Sequence, residues 1–146
     1  MEFCAGTAIC ASLLAQLIKV LLNLFIFHRF IAERMWGAGG MPSSHSATVC
    51  AMVVATGRYC GVNSPLFAIA AVLSIIVMYD AMGVRYETGE QAKVLNRMFT
   101  EWMDQGFEQF QLPHGKKLKE MVGHTPIEVV TGAALGIVLG FAMPMV

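Results

Sequence analysis

Apolar positions along this chain collect into four blocks, with the polar positions gathered between them. The blocks run from Phe3 to Phe27, from Ala47 to Ala55 with mixed extensions to about Gly61, from Pro65 to Tyr79, and from Ile127 to Val146. The outer two reach the roughly 20 residues that span a bilayer as a helix. The middle two are shorter. They span if their small-residue ends are shielded by protein, and otherwise they are partly re-entrant. Within these blocks Ala47, Ala51 and Ala55, and again Gly132, Gly136 and Gly140, recur every four positions. That spacing places small residues on one helical face, where they let helices approach closely in lipid.

The interval from Arg85 to Gly123 has a different character. It holds six basic residues (Arg85, Lys93, Arg97, Lys116, Lys117, Lys119) and six acidic ones (Glu87, Glu90, Glu101, Asp104, Glu108, Glu120). Val94, Leu95, Met98, Phe99, Trp102 and Met103 repeat through it at helical spacing. The pattern predicts an amphipathic helix over about 89–110, lying on the membrane surface or capping the bundle. Gln111-Leu112-Pro113-His114-Gly115 then breaks it.

Composition narrows the class. Hydrophobic residues make up 56% and charged residues 14%, against about 25% charged in soluble domains. The 146 residues therefore read as a single membrane-embedded domain, 1–146, of the all-α class: a polytopic membrane helical bundle with about four membrane segments plus the amphipathic helix. Ten basic and ten acidic residues balance to zero, and nothing points to nucleic acid. Cys4, Cys10, Cys50 and Cys60 lack metal-type spacing and read as buried free thiols. No basic stretch precedes the first block and no cleavage site follows it, so it reads as a span rather than a cleavable signal.

Counting crossings gives a topology. With four spans, Arg29, Arg34 and the turn before His45 emerge on one side, Arg58 on the other, and Asp80, Arg85, the charged interval and His124 again on the first. The first side then carries eight basic residues (Arg29, Arg34, Arg85, Lys93, Arg97, Lys116, Lys117, Lys119) and the second only Arg58. The positive-inside rule makes the first side cytoplasmic in a multi-pass protein of the cell membrane. His45 and His124 share it.

The chemistry-bearing residues sit at these mouths. Gly39-Gly40-Met41-Pro42-Ser43-Ser44-His45 joins flexible backbone to a Ser-capped helix start, whose N–H groups favour a bound phosphate; an ordinary capped helix would use the same residues. His124 and Glu128 stand four apart on one helical face. The carboxylate can fix the imidazole tautomer and leave the other nitrogen free to attack, or the pair can simply close a helix start. Lys19, with Gln16 one turn before it, either snorkels to the interface or points inward as a phosphate counter-charge. Asp80 and Arg85 form an ion pair or supply a phosphoryl clamp. Gln91 and Asn96 read as exposed or capping positions, and His28 and His114 as surface residues.

Taken together, Gly-Gly-Met-Pro-Ser-Ser-His-Ser-Ala, Tyr-Asp-Ala-Met-Gly-Val-Arg with Gly-Glu-Gln-Ala, and Leu-Lys-Glu-Met-Val-Gly-His-Thr-Pro-Ile-Glu-Val resemble the divergent branch of the type 2 phosphatidic acid phosphatase family. That branch is related to the vanadium-dependent haloperoxidases. The resemblance implies phosphate contacts from Ser43 and Ser44, an acid at His45, a nucleophile at His124 and its orienter at Glu128. Lys19 matches the family lysine, but Ile26 stands where an arginine is usual, and Lys117 and Lys119 replace the arginine before the nucleophile. Arg34 or Arg85 would compensate, with Gln16, Asp80 and Lys119 as supporting residues. The implied activity is hydrolysis of a lipid phosphomonoester or diphosphate through a phosphohistidine, with no metal or cofactor and with vanadate as an inhibitor. The alternative is a non-catalytic membrane protein that binds or transports a phosphorylated lipid. With four spans, a homodimer completing the pocket walls is also expected.

Overall fold

The computed structural model of the chain describes residues 2–27, 40–105, 117–120 and 122–144. Five helices order these residues: α1 (Glu2–Phe27), α2 (Ser44–Cys60), α3 (Pro65–Met82), α4 (Val84–Asp104) and α5 (Pro126–Ala142). No strand occurs among the described residues. Helix α2 is the hub and packs against α1, α3 and α5.

The small-residue stripes decide that packing. On α1 the buried positions Ala8, Ala11, Ala15 and Lys19 recur every three or four residues, and Ala11 and Ala15 meet Ala47 and Ala51 of α2. Helix α5 packs on the same stretch of α2. Gly132 lies against the Ser43 main chain, Gly136 against that of Ala47, and Gly140 against Val54 and Ala51. A Cβ at Gly132 or Gly136 would overlap main-chain atoms, so the two backbones touch only because glycine stands there. In lipid, where tails solvate apolar surface as well as protein does, such close backbone contact is a main source of helix association.

The large apolar side chains face outward. Ile9, Leu13, Leu17 and Leu21 on α1, Ile69, Val72 and Ile76 on α3, and Val130, Ile137 and Val138 on α5 are all exposed. Two helical runs, Glu2–Phe25 and Pro65–Asp104, are long and apolar enough to cross a membrane, and only 22% and 17% of their apolar windows are buried. The core helix of a soluble protein would be mostly buried, so this surface belongs against lipid. The fold is an all-α membrane bundle. Cysteine placement follows the same logic and corrects the expectation of buried thiols: all four are free, but only Cys50 is buried, whereas Cys10 and Cys60 are exposed. An apolar position in such a chain need not be a protein-buried one.

Helix α4 corrects another boundary. It begins at Val84, directly after Gly83, rather than near Gly89, and ends at Asp104. Gly89 is not a helix boundary. It lies inside α4, where a Cβ would strike the Glu120 carbonyl. Gly89, Ala92 and Asn96 form the buried face of α4, and Leu118, Glu120 and Val122 lie along it. At the opposite end of the bundle Arg58 Nη1 donates to the carbonyls of Gly140 (2.7 Å), Phe141 (3.1 Å) and Met143 (2.8 Å). It thereby caps the C-terminus of α5, where carbonyls lack helical partners and the dipole favours a cation.

Candidate active site

Helix α2 starts at a Ser43 cap whose φ and ψ of −68° and 117° are extended. Ser43 Oγ accepts from the Ser46 main-chain N–H at 3.4 Å and from Ser46 Oγ at 3.1 Å. The Ser43 N–H donates to the Glu128 carbonyl at 2.9 Å. This main-chain bond ties the first turn of α2 to the first turn of α5, and it is what brings His45 beside His124. Before the cap, Gly40 has φ of 91°, a left-handed conformation that glycine adopts without strain. Its open side receives the Lys19 chain.

His124 is held from three directions. Its N–H donates to the Ala81 carbonyl at 3.0 Å, near the end of α3. Gly123 passes so close to the Tyr86 and Arg85 main chain that a Cβ there would overlap it. On the ring, Nδ1 lies 3.2 Å from Glu128 Oε2, and the same oxygen accepts from the Thr125 N–H at 3.0 Å. Glu128 therefore does both things its spacing allowed: it closes the start of α5 and holds the imidazole. With a carboxylate accepting at Nδ1, the proton sits there and Nε2 carries a lone pair. The ring is only 1% exposed, and Nε2 has no hydrogen-bond partner.

The ring of His45 stands edge-on to that of His124, with centroids 5.9 Å apart and planes at 63°. Between them lies a cavity of about 20 Å³ lined by His45, Val77, Asp80, Ala81, Arg85 and His124. That volume admits about one water. Asp80 and Arg85 close its rim through an Nε to Oδ2 bond of 2.6 Å.

Five sequence-derived residues are thus gathered at one mouth of the bundle: His45, His124, Glu128, Asp80 and Arg85. The others stand further off. Lys19 is 2% exposed. It points into the bundle rather than snorkelling, lies against Gly40, and interacts electrostatically with Glu128. Ser43 is wholly buried in its capping role. Ser44 Oγ accepts from Gln16 Nε2 at 3.3 Å, while Gln16 Oε1 is buried without a partner. Neither serine lines the cavity. Lys119 is exposed, and Arg34, like His28 and His114, lies outside the described residues.

One residue of the site's support was misread. Asn96 is not exposed but buried, and its amide brackets the arm that carries His124. Nδ2 donates to the Leu118 carbonyl (2.9 Å) and to Glu120 Oε1 (2.8 Å), and Oδ1 accepts from the Leu118 N–H (2.8 Å). Its spacing from Gly89 and Ala92 on one helical face was the available signal.

Comparison with known proteins gives the chain's family. A family model described as "Divergent PAP2 family" matches residues 2–139. A protein of Bacillus subtilis (strain 168) described as "Uncharacterized membrane protein YuiD" is 38% identical over 139 residues, which is 91% of this chain and 88% of that protein. No solved structure matches significantly. With the matched span running from the first turn of α1 to the last turns of α5, and so including both histidines and Glu128, the chain belongs to the Divergent PAP2 family.

Proposed function

We propose that this protein is a lipid-phosphate phosphatase acting through a phosphohistidine. The observation that carries the reading is His124: buried, its Nδ1 held by Glu128, its Nε2 unpartnered, and its ring beside that of His45. The Nε2 lone pair attacks phosphorus, and the P–N bond forms as the ester P–O bond breaks. Protonated His45 gives its proton to the leaving oxygen. Water, deprotonated by the now neutral His45, then attacks phosphorus, releasing inorganic phosphate and restoring the Nε2 lone pair. Glu128 stabilises the positive charge that develops on the ring. Arg85 and Lys19 supply positive charge for the equatorial oxygens, where electrostatic stabilisation does most of the work in phosphoryl transfer. The steps call for neither a metal nor an organic cofactor, and vanadate, which adopts the geometry of the transition state, should inhibit.

The substrate reading follows from position. The site opens where apolar helices end and charged sequence begins, so the phosphate sits at headgroup depth and the ester belongs to a lipid. The protein would be multi-pass in the cell membrane with this mouth cytoplasmic, and a homodimer would complete the walls. A second reading, binding or moving a phosphorylated lipid without turnover, is favoured by Ile26 standing where an arginine is usual.

Purified protein in mixed micelles, offered a panel of lipid phosphates, tests the choice. Phosphate release should fall by roughly three orders of magnitude or more in His124→Ala, and a base-stable, acid-labile phosphoenzyme should be trapped in the wild type alone. Release that survives His124→Ala refutes the phosphohistidine. Tight binding of a lipid phosphate without release leaves the second reading.

A further inference from the structure

The rim of the cavity carries a carboxylate that the proposed reaction does not use. Asp80 Oδ2 accepts from Arg85 Nε at 2.6 Å, and both side chains line the space between His45 and His124. A phosphoryl group is several times larger than a water and cannot share that space with the pair closed. Arg85 is also the one arginine or lysine lining the cavity among the described residues. Any anion entering beside His124 therefore meets an arginine already engaged by an anion.

We infer that Asp80 is a positioning residue that stands in for the substrate's phosphate in the resting site, so that only an anion able to displace it from Arg85 is admitted. This rests on the phosphatase reading above. The exchange is feasible because the pair is half exposed, with side-chain exposures of 50% for Arg85 and 42% for Asp80, and exposed pairs are weak. Gly83 joins the helices that carry the two partners and leaves the turn free of a side chain that would have to move with them. A guanidinium offers five donors in a planar fork and donates bidentately to a tetrahedral oxyanion. A phosphomonoester dianion brings two charges and three unesterified oxygens to that fork. A phosphodiester brings one charge, equal to that of Asp80, and two such oxygens. Displacement then selects the phosphomonoester. Asp80 becomes the source of discrimination between the two ester classes, and also a built-in competitor that weakens binding of both.

The test uses the full chain in mixed micelles and two probes, orthovanadate for affinity and a matched pair of lipid phosphomonoester and phosphodiester for turnover. In Asp80→Asn, which keeps the shape and removes the charge, the vanadate inhibition constant and the monoester KM should both fall about fivefold, the factor an exposed ion pair carries at its upper range. The monoester preference should shrink, and kcat should not rise. In an Arg85→Gln background the same change should have no effect on vanadate, because the competitor acts only through Arg85. A merely structural pair predicts the opposite sign: weaker binding and a lower melting temperature. Asp80→Ser serves as a second variant should the asparagine disturb the turn. Vanadate binding that is unchanged or weaker in both variants, with wild-type release intact, overturns this inference and leaves the phosphatase reading standing. Absence of release and of vanadate binding in every form overturns both.

Discussion

Gly132→Ala adds one methyl group at the place where the bundle's packing and its chemistry meet. The new Cβ would overlap the Ser43 carbonyl and lie against the Ser43 main-chain N and C. These are backbone atoms and cannot rotate away. Overpacking of this kind costs typically 1–3 kcal/mol, and replacing a helical glycine by alanine returns roughly 0.5–1 kcal/mol. The expected net loss is about 1–2 kcal/mol, or some 2–8 °C in melting temperature for a chain of this size. The control is Gly6→Ala on α1, where a Cβ meets nothing within 4 Å, so that only the helical gain remains and stability should rise slightly. Separation of α5 from α2 also strains the 2.9 Å bond from the Ser43 N–H to the Glu128 carbonyl, which sets His45 against His124. A displacement near 1 Å at reacting groups can lower a rate about 100-fold, so phosphate release should fall by far more than the stability loss explains. Thermal unfolding in one detergent, with phosphate release measured well below the transition, checks both parts. A Gly132→Ala protein as stable as Gly6→Ala refutes the packing argument. A destabilised protein with undiminished release refutes the link to the site.

What was legible in the chain divides along physical lines. The four apolar blocks and the four-residue stripes gave the bundle, because hydropathy and small-residue spacing are local properties read directly by the membrane and by neighbouring helices. The same-side placement of His45 and His124 came from counting crossings, which needs no distances. The apolar repeat begins only at Val94, so it starts α4 near Gly89 rather than at Val84. That glycine is instead a contact, required by a segment about thirty residues later, and no local pattern announces such a partner. Asn96 failed for the same reason: a polar residue on an amphipathic helix looks solvated until the main chain it brackets is in view. Ser43 and Ser44 illustrate the converse. The motif marks them clearly, yet the same hydroxyls can cap a helix or touch a phosphate, and here they are held by Ser46 and Gln16.

Two further substitutions probe the supports at either end of the bundle. Arg58→Ala removes the donor shared by the Gly140 and Phe141 carbonyls of α5 and that of Met143 just beyond it and should lower stability by about 1–3 kcal/mol, the cost of stranding such groups, with little effect on the site at the far end. A melting temperature equal to that of the wild type would show that water or lipid headgroups already satisfy those carbonyls. Asn96→Ala cuts the bracket on the arm that carries His124. The Leu118 N–H and carbonyl lose their partners, again worth about 1–3 kcal/mol. That loss is local, because α4 packs on the arm through Gly89 and Asn96 and not on the α1–α2–α5 core. Amide exchange should therefore rise in 117–120 and 122–123 and stay unchanged in α2 and α5, while phosphate release falls because His124 is less well held. Asn96→Asp separates hydrogen bonding from charge: it keeps an acceptor for the Leu118 N–H but sets a second carboxylate against Glu120, and it should be at least as harmful as alanine. Uniform acceleration of exchange across all helices in Asn96→Ala would mean that the bracket holds the whole bundle, and the division drawn here between a packed core and a docked arm would fail.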